Sequence, residues 1–218
     1  MMTGTRKELV FLILAGLFIT NAVIAEVIGG KLIQFGPFVL SVGVLSWPFV
    51  FIMTDLVNEY FGKTGVRRLT FVTVGLIIFA FAILLGAIQI PAVDFSPVKD
   101  EAFSQVFGQS LWIIVGSILA FLFSQLLDVW VFWIFRNRTG KKMLWVRATG
   151  STIFSQLFDT IIVLGIAFYL PGKLSLEEFI KVASSNYTYK IGVAIAMTPV
   201  IYVAHYVIEK YLKDEPAN

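Results

Sequence analysis

Leu69-Thr-Phe-Val-Thr-Val-Gly-Leu-Ile-Ile-Phe-Ala-Phe-Ala-Ile-Leu-Leu-Gly-Ala-Ile-Gln-Ile90 contains no charged residue. A helix needs about 20 predominantly apolar residues to cross a hydrocarbon layer of about 30 Å. Run length separates a membrane span from a core helix, and this run is long enough. It is ended by Pro91, a helix-stop signal. The stretch therefore predicts a transmembrane helix, and its neighbours repeat the pattern.

Toward the N-terminus, Gly62, Lys63, Arg67 and Arg68 read as a short basic loop. Before it, a span is expected from about Phe38 to Tyr60, with Gly36–Pro37 as the turn into it. The first span is expected from about Leu9 to Ile28, broken by Gly29–Gly30. It follows Arg6 and Lys7 as a signal peptide would, but Ala22–Val23–Ile24–Ala25 is a poor cleavage site and more spans follow. It is read as a retained helix.

Toward the C-terminus, residues 92–108 form a polar connection in which Ser96–Pro97 marks the start of a short interfacial helix. The fourth span is expected from about Leu111 to Phe135. A basic loop follows, with Arg136, Arg138, Lys141, Lys142 and Arg147. The fifth runs from about Thr149 to Leu170 and is stopped by Pro171–Gly172. Ser175-Leu-Glu-Glu178 is a capping-box pattern. It predicts a second short amphipathic helix, with Leu176, Phe179, Ile180 and Ala183 on one side. The sixth span runs from about Tyr187 to Ile208, and Glu209 to Asn218 form a polar tail.

Composition agrees. Of 218 residues, 58% are hydrophobic and 14% charged, against roughly 45–50% and 25% in soluble domains. The basic residues sit in loops beside apolar runs, which makes them topology signals; the net charge of +3 is no nucleic-acid footprint. The chain has no cysteine, so disulfides and thiolate chemistry are excluded. It also lacks a P-loop, an H-E-x-x-H helix and a G-x-S-x-G elbow. Enzyme activity and a cofactor are not expected.

The loop charges predict orientation. Arg6, Lys7, Lys63, Arg67, Arg68, the five basic residues of the fourth-to-fifth loop, Lys210 and Lys213 fall on one side. The positive-inside rule makes that side cytoplasmic. The expected architecture is an all-α membrane protein, one domain over residues 1–218: a bundle of six transmembrane helices with both termini cytoplasmic. The lipid bilayer of the cell membrane is its surroundings.

The chemistry lies inside the spans. Ser124-Gln-Leu-Leu-Asp128 in the fourth is repeated as Ser155-Gln-Leu-Phe-Asp159 in the fifth. In a helix Gln125 and Asp128 share a face, as do Gln156 and Asp159. The two spans are antiparallel neighbours, so both motifs reach similar levels in the inner half of the membrane. Gly116, Ala120 and Ser124 on one helix, and Ser151 and Ser155 on the other, let the helices approach closely.

A carboxylate within a membrane costs at least about 2.5–3.5 kcal/mol. Asp128 and Asp159 therefore either glue helices through Ser, Thr, Gln or Arg147, or line a solute or proton pathway. The duplication and the adjacent glutamines favour the pathway. Asp55, Asn58 and Glu59 lie near the end of the second span, and Asp55 and Glu59 share a face. Pairing with Arg67 and Arg68 is one reading, and a role in the site or gate is the other. Trp47, beside Pro48, is a candidate for stacking on a planar ligand, although most tryptophans simply pack. Lys190 reads as a snorkelling anchor, and the lone His205 as a helix–helix hydrogen-bonding group. Paired Gln and Asp residues in an aromatic-rich cavity suit a small planar polar solute: a carboxylate accepts from adjacent N–H donors while a glutamine amide donates to a carbonyl. An amino acid, a cation or a vitamin is also compatible.

Three strings carry a resemblance. Pro48-Phe-Val-Phe-Ile-Met-Thr-Asp-Leu-Val-Asn-Glu-Tyr-Phe-Gly62, Ser124-Gln-Leu-Leu-Asp-Val-Trp-Val-Phe132 and Arg147-Ala-Thr-Gly-Ser-Thr-Ile-Phe-Ser-Gln-Leu-Phe-Asp-Thr160 resemble signatures of the bacterial queuosine precursor transporters, a branch of the vitamin uptake transporter family. The similarity covers nearly the whole chain. It implies import of a deazaguanine precursor of the tRNA base queuosine, with Asp55, Gln125, Asp128, Gln156 and Asp159 at the polar intramembrane positions. A carboxylate such as Asp128 or Asp159 would then exchange a proton in each cycle. The alternatives are a substrate-binding subunit of an ATP-driven vitamin importer, whose ATPase partner is not expected here, and a membrane scaffold that transports nothing.

Overall fold

The computed structural model describes residues 5–139 and 143–213. Helix α1 spans Arg6–Ile28, opened by a capping box in which Thr5 and Glu8 bond each other's backbone N–H. Residues Leu32–Phe35 and Phe38–Ser41 form strands β1 and β2 of an antiparallel hairpin, followed by a 3₁₀ turn, Val42–Leu45. Helix α2 spans Trp47–Ile88, α3 Asp100–Phe107, α4 Leu111–Thr139 and α5 Leu144–Leu164. A π-helical turn over Gly165–Tyr169 extends α5. Helix α6 spans Leu176–Lys213. Among the described residues, five helical stretches are long and apolar enough to cross a membrane.

Several boundaries differ from the sequence expectation. The stretch from Phe38 is a strand, and the helix begins nine residues later at Trp47. Phe35 pairs with Phe38, which leaves Gly36–Pro37 as a two-residue turn. Gly36 has φ 56°, the positive value that a type II′ hairpin needs at its first central position. Trp47 consequently stands in the first turn of α2, not within it. Helix α3 starts at Asp100 with Lys99 at its N-cap, not at Ser96–Pro97. The Ser175 capping box is present, with Glu178 bonding the Ser175 backbone. However, α6 continues unbroken through Tyr187, so the amphipathic segment and the sixth span are one helix of 38 residues.

Helix α2 has 42 residues, which would reach about 63 Å if straight, roughly twice the hydrocarbon thickness. It is not straight. Gly62 has φ 72° and ψ −179°, a region essentially confined to glycine. Helix resumes directly after it, so Lys63, Arg67 and Arg68 sit on the first turns of the second half rather than in a loop. Arg136 and Arg138 similarly close the last turn of α4, where cations complement the helix dipole. Lys141 and Lys142 lie outside the described residues.

The most extensive packing is between α4 and α5, followed by α1 with α2 and α5 with α6. Small residues allow the first of these. A Cβ on Gly116 would lie 3.2 Å from both the Ala167 nitrogen and the Ile166 Cβ. Val10, Leu14, Phe18, Ala22 and Ala25 bury one stripe of α1, and Phe18 meets Phe121 of α4. Outside, large apolar side chains such as Leu12, Phe79, Phe123 and Val203 are exposed. Inside, Thr54, Asp55, Asn58, Ser124, Gln125, Asp128, Arg147, Ser151, Ser155, Gln156 and Asp159 are buried. A polar interior within an apolar exterior suits a bundle whose solvent is lipid.

Candidate functional site

The two Ser-Gln-x-x-Asp copies meet face to face. Ser124 Oγ donates to Asp159 Oδ1 at 3.3 Å, and Ser155 Oγ donates to Asp128 Oδ1 at 3.2 Å. Each serine thus bonds the aspartate of the other copy. This reciprocity follows from antiparallel helices carrying the same motif. Each hydroxyl also lies within hydrogen-bond distance of the carbonyl three residues back, Phe121 for Ser124 and Thr152 for Ser155.

Gln125, Asp128 and Gln156 line one small cavity with Phe51, Thr54, Ser124, Thr152 and Ser155. Helix α2 contributes through Thr54, whose Oγ1 lies 3.2 Å from Gln125 Oε1. Phe51 continues into an aromatic cluster: Trp47 stacks on it at 6.1 Å and 23°, and lies 5.8 Å from Phe121. The Trp47 ring is therefore beside the polar cavity even though the residue starts its helix. The cavity holds about 10 Å³, about the space of one water molecule.

The two aspartates have different company. Asp159 Oδ2 receives Lys190 of α6 at 2.6 Å. Lys190 is thus an intramembrane counter-ion rather than a snorkelling anchor, because its flexible stem reaches inward to a buried carboxylate. Glu26 of α1, also buried, is within electrostatic reach of Asp159. Asp128 Oδ2, in contrast, has no hydrogen-bond partner among the described residues. Neither do both oxygens of Asp55 or both polar atoms of Asn58. Asp55 lies within electrostatic reach of Asp128, Arg147 and Glu59.

Glu59 closes this region on one side. Its Oε2 accepts from Arg136 at 2.7 Å and Arg147 at 2.9 Å, joining α2, α4 and α5. Arg67 and Arg68, the partners expected from sequence, are exposed instead, since the helix break at Gly62 turns them away. Beyond Glu59 lies a larger cavity of about 400 Å³, lined by Glu59, Tyr60, Arg136, Met143, Leu144, Arg147, Tyr202, His205 and Glu209. It sits at the end of the bundle where α4 stops and α5 begins. His205 Nδ1 and the Tyr60 hydroxyl are 2.7 Å apart, so the lone histidine ties α2 to α6.

Of the eight residues singled out from sequence, Gln125, Asp128 and Gln156 line the small cavity, Asp159 bonds Ser124 on its wall, Trp47 packs on Phe51, and Asp55 and Asn58 are buried on α2. Glu59 stands at the boundary with the larger cavity. Sequence reasoning missed Lys190 as a partner of Asp159. It also missed Thr54 and Thr152 on the cavity wall, where a hydroxyl inside a span gives only a weak signal.

Residues 41–204 match the family model described as "Putative vitamin uptake transporter". A protein of Bacillus subtilis named "Probable queuosine precursor transporter" is 31% identical over 75% of this chain and 71% of its own length. One of the same name from Haemophilus influenzae is 31% identical over 71% of the chain and 63% of its length. The Escherichia coli "Queuosine precursor transporter" is 31% identical over 70% of the chain and 66% of its length. The aligned region thus spans about two thirds of these relatives. No solved structure matches the chain. With its apolar helices and the family match over three quarters of its length, this multi-pass membrane protein belongs to the vitamin uptake transporter family.

Proposed function

We propose that the chain imports a queuosine precursor, a planar deazaguanine-type base, across the cell membrane for salvage. The observation that carries this reading is the reciprocal pair of Ser-Gln-x-x-Asp motifs around one cavity, beside the Trp47–Phe51–Phe121 cluster. Asp128 supplies a carboxylate for adjacent ring N–H donors. Gln125 and Gln156 supply amides for a ring carbonyl, and the aromatic faces supply stacking surface. Asp55, Asn58 and Asp159 shape the charge around them. No catalytic step is part of this reading, and no ATPase partner is needed for recognition.

Gly62 lets the long α2 stretch act as two spans, which gives six spans and both termini in the cytoplasm. The loop charges support that orientation. The cavity beyond Glu59 is then a vestibule open to the cytoplasm. At about 10 Å³ the inner cavity is far smaller than ligand pockets of about 300–1,000 Å³. It is the closed state of the site in this scheme, and α4 and α5 move against the other helices to open it.

Complementation tests the proposal. The chain is expressed in a bacterium that can neither make nor import queuosine precursors, a trace of precursor is supplied, and queuosine is scored in tRNA. Restored queuosine, lost on Asp128→Asn, is the expected result. No restoration by membrane-inserted protein would sink it.

A further inference from the structure

We propose that Asp55 and Asp128 together hold one exchangeable monovalent cation, a proton or an alkali ion, and that this cation moves with the solute. The inference rests on the transport reading above and adds the driving ion and its place.

The charges of this region do not balance. Among the described residues, this side of the bundle has three carboxylates, the buried Asp55 and Asp128 and the partly exposed Glu59, and two guanidiniums, the buried Arg147 and the partly exposed Arg136. Both guanidiniums converge on the same oxygen of Glu59. One negative charge remains for Asp55 and Asp128. A bare ionised carboxylate in a low-dielectric interior is too costly to persist. Two neighbouring carboxylates raise that cost further by repulsion. One added positive charge removes both penalties.

The polar atoms that would receive it are present and unused. Asp55 Oδ1 and Oδ2, Asp128 Oδ2 and Asn58 Oδ1 and Nδ2 are buried without a hydrogen-bond partner among the described residues. Asp55, Asn58 and Asp128 are 2%, 0% and 5% exposed. Buried polar groups are ordinarily satisfied, so an orphaned set of this size marks a ligand position.

The other charged and titratable groups of the packed helices have different assignments. Asp159 of α5 is neutralised by Lys190 of α6. Glu26 of α1 lies within electrostatic reach of Asp159. His205 of α6 is bonded to Tyr60 in the vestibule, within 3.9 Å of Glu209. Glu59, with Arg136 and Arg147, stands between the pair and the vestibule, which places an ion-pair barrier on the exit path.

The test uses purified full-length protein in liposomes, with the membrane potential clamped at zero and a radiolabelled deazaguanine base. With one-for-one coupling, a tenfold inward gradient of the cation should concentrate the base about tenfold. A proton gradient and a sodium gradient, imposed separately, distinguish the two sources. Asp55→Asn and Asp128→Asn should each abolish concentration. Base movement that ignores both gradients, or gradient-driven concentration surviving in either variant, overturns the proposal while leaving transport intact. No base movement by the wild-type protein would overturn the transport reading itself. A second measurement needs no transport. The infrared band of protonated carboxyls should lose intensity in both variants, or bound sodium-22 should be present in the wild type and lost from both variants. An unchanged band together with no bound sodium-22 in the wild type overturns the proposal.

Discussion

The two Ser-Gln-x-x-Asp copies have the same sequence signature and opposite electrostatic fates. On α5, Asp159 is paired with Lys190 at 2.6 Å and bonded by Ser124. On α4, Asp128 is bonded by Ser155, has no cation paired with it in the way Lys190 pairs with Asp159, and lies within electrostatic reach of a second carboxylate, Asp55. A duplicated motif on antiparallel helices produces a symmetric clasp. The third and fourth helices around it decide what each half is for. Helix α6 brings a cation to one side, and α2 brings a carboxylate to the other. In the proposed scheme, one half is a fixed strut and the other an adjustable polar surface.

The largest effect should come from making the strut resemble its twin. Lys190→Met leaves Asp159 buried without its cation. Removing one partner of a buried pair typically costs about 3–5 kcal/mol, and about 3 kcal/mol is expected here because both side chains keep some exposure. Adding Asp159→Asn to Lys190→Met should recover most of that loss. Equilibrium unfolding in detergent micelles, arranged as a double-mutant cycle, reads both numbers. Independent, additive losses would show that the pair is incidental.

A smaller effect is expected at Glu59, which separates the adjustable side from the vestibule. Glu59→Gln leaves two guanidiniums without their shared carboxylate. Arg136 retains water contact, so a loss of about 2 kcal/mol is expected in the same unfolding assay. Label attached to a cysteine placed at Asn58 should also react faster from the vestibule side. Unchanged stability and unchanged labelling would remove Glu59 from the boundary.

The smallest effects test the symmetric part. Ser124→Ala and Ser155→Ala each remove one cross-helix hydrogen bond, worth about 1 kcal/mol. The two losses should be similar, because each hydroxyl keeps the same relation to the opposite aspartate. A loss confined to one serine would show that the clasp is not reciprocal.

The spans and the motif pair were legible because their signals are local. A run such as Leu69–Ile90 decides membrane from core by length alone, and Ser124–Asp128 announces its partner by repetition. The start of α2 was not legible. Phe38-Val-Leu-Ser41 is as apolar as the helix it precedes, and only the pairing with Leu32–Phe35 makes it a strand. The continuity of α6 was hidden because the polar stretch around Ser185 and Asn186 resembles a break, although Asn186 bonds the carbonyl of Val182 within the helix. Lys190 was misjudged for a related reason. Sequence places it near a span end, where snorkelling is the default, and only the packing of α5 on α6 turns it toward Asp159. Glu59 gave a usable signal, but its arginines lay 77 and 88 positions away rather than in the adjacent basic segment.

The most direct test of the central claim is binding of a deazaguanine base to the purified chain, measured by calorimetry for the wild type, Gln125→Ala and Gln156→Ala. The account predicts that the wild type binds the base and that each glutamine variant binds about tenfold more weakly, the equivalent of about 1.4 kcal/mol. Binding that is unchanged in both glutamine variants would contradict the claim that the paired motifs form the recognition site.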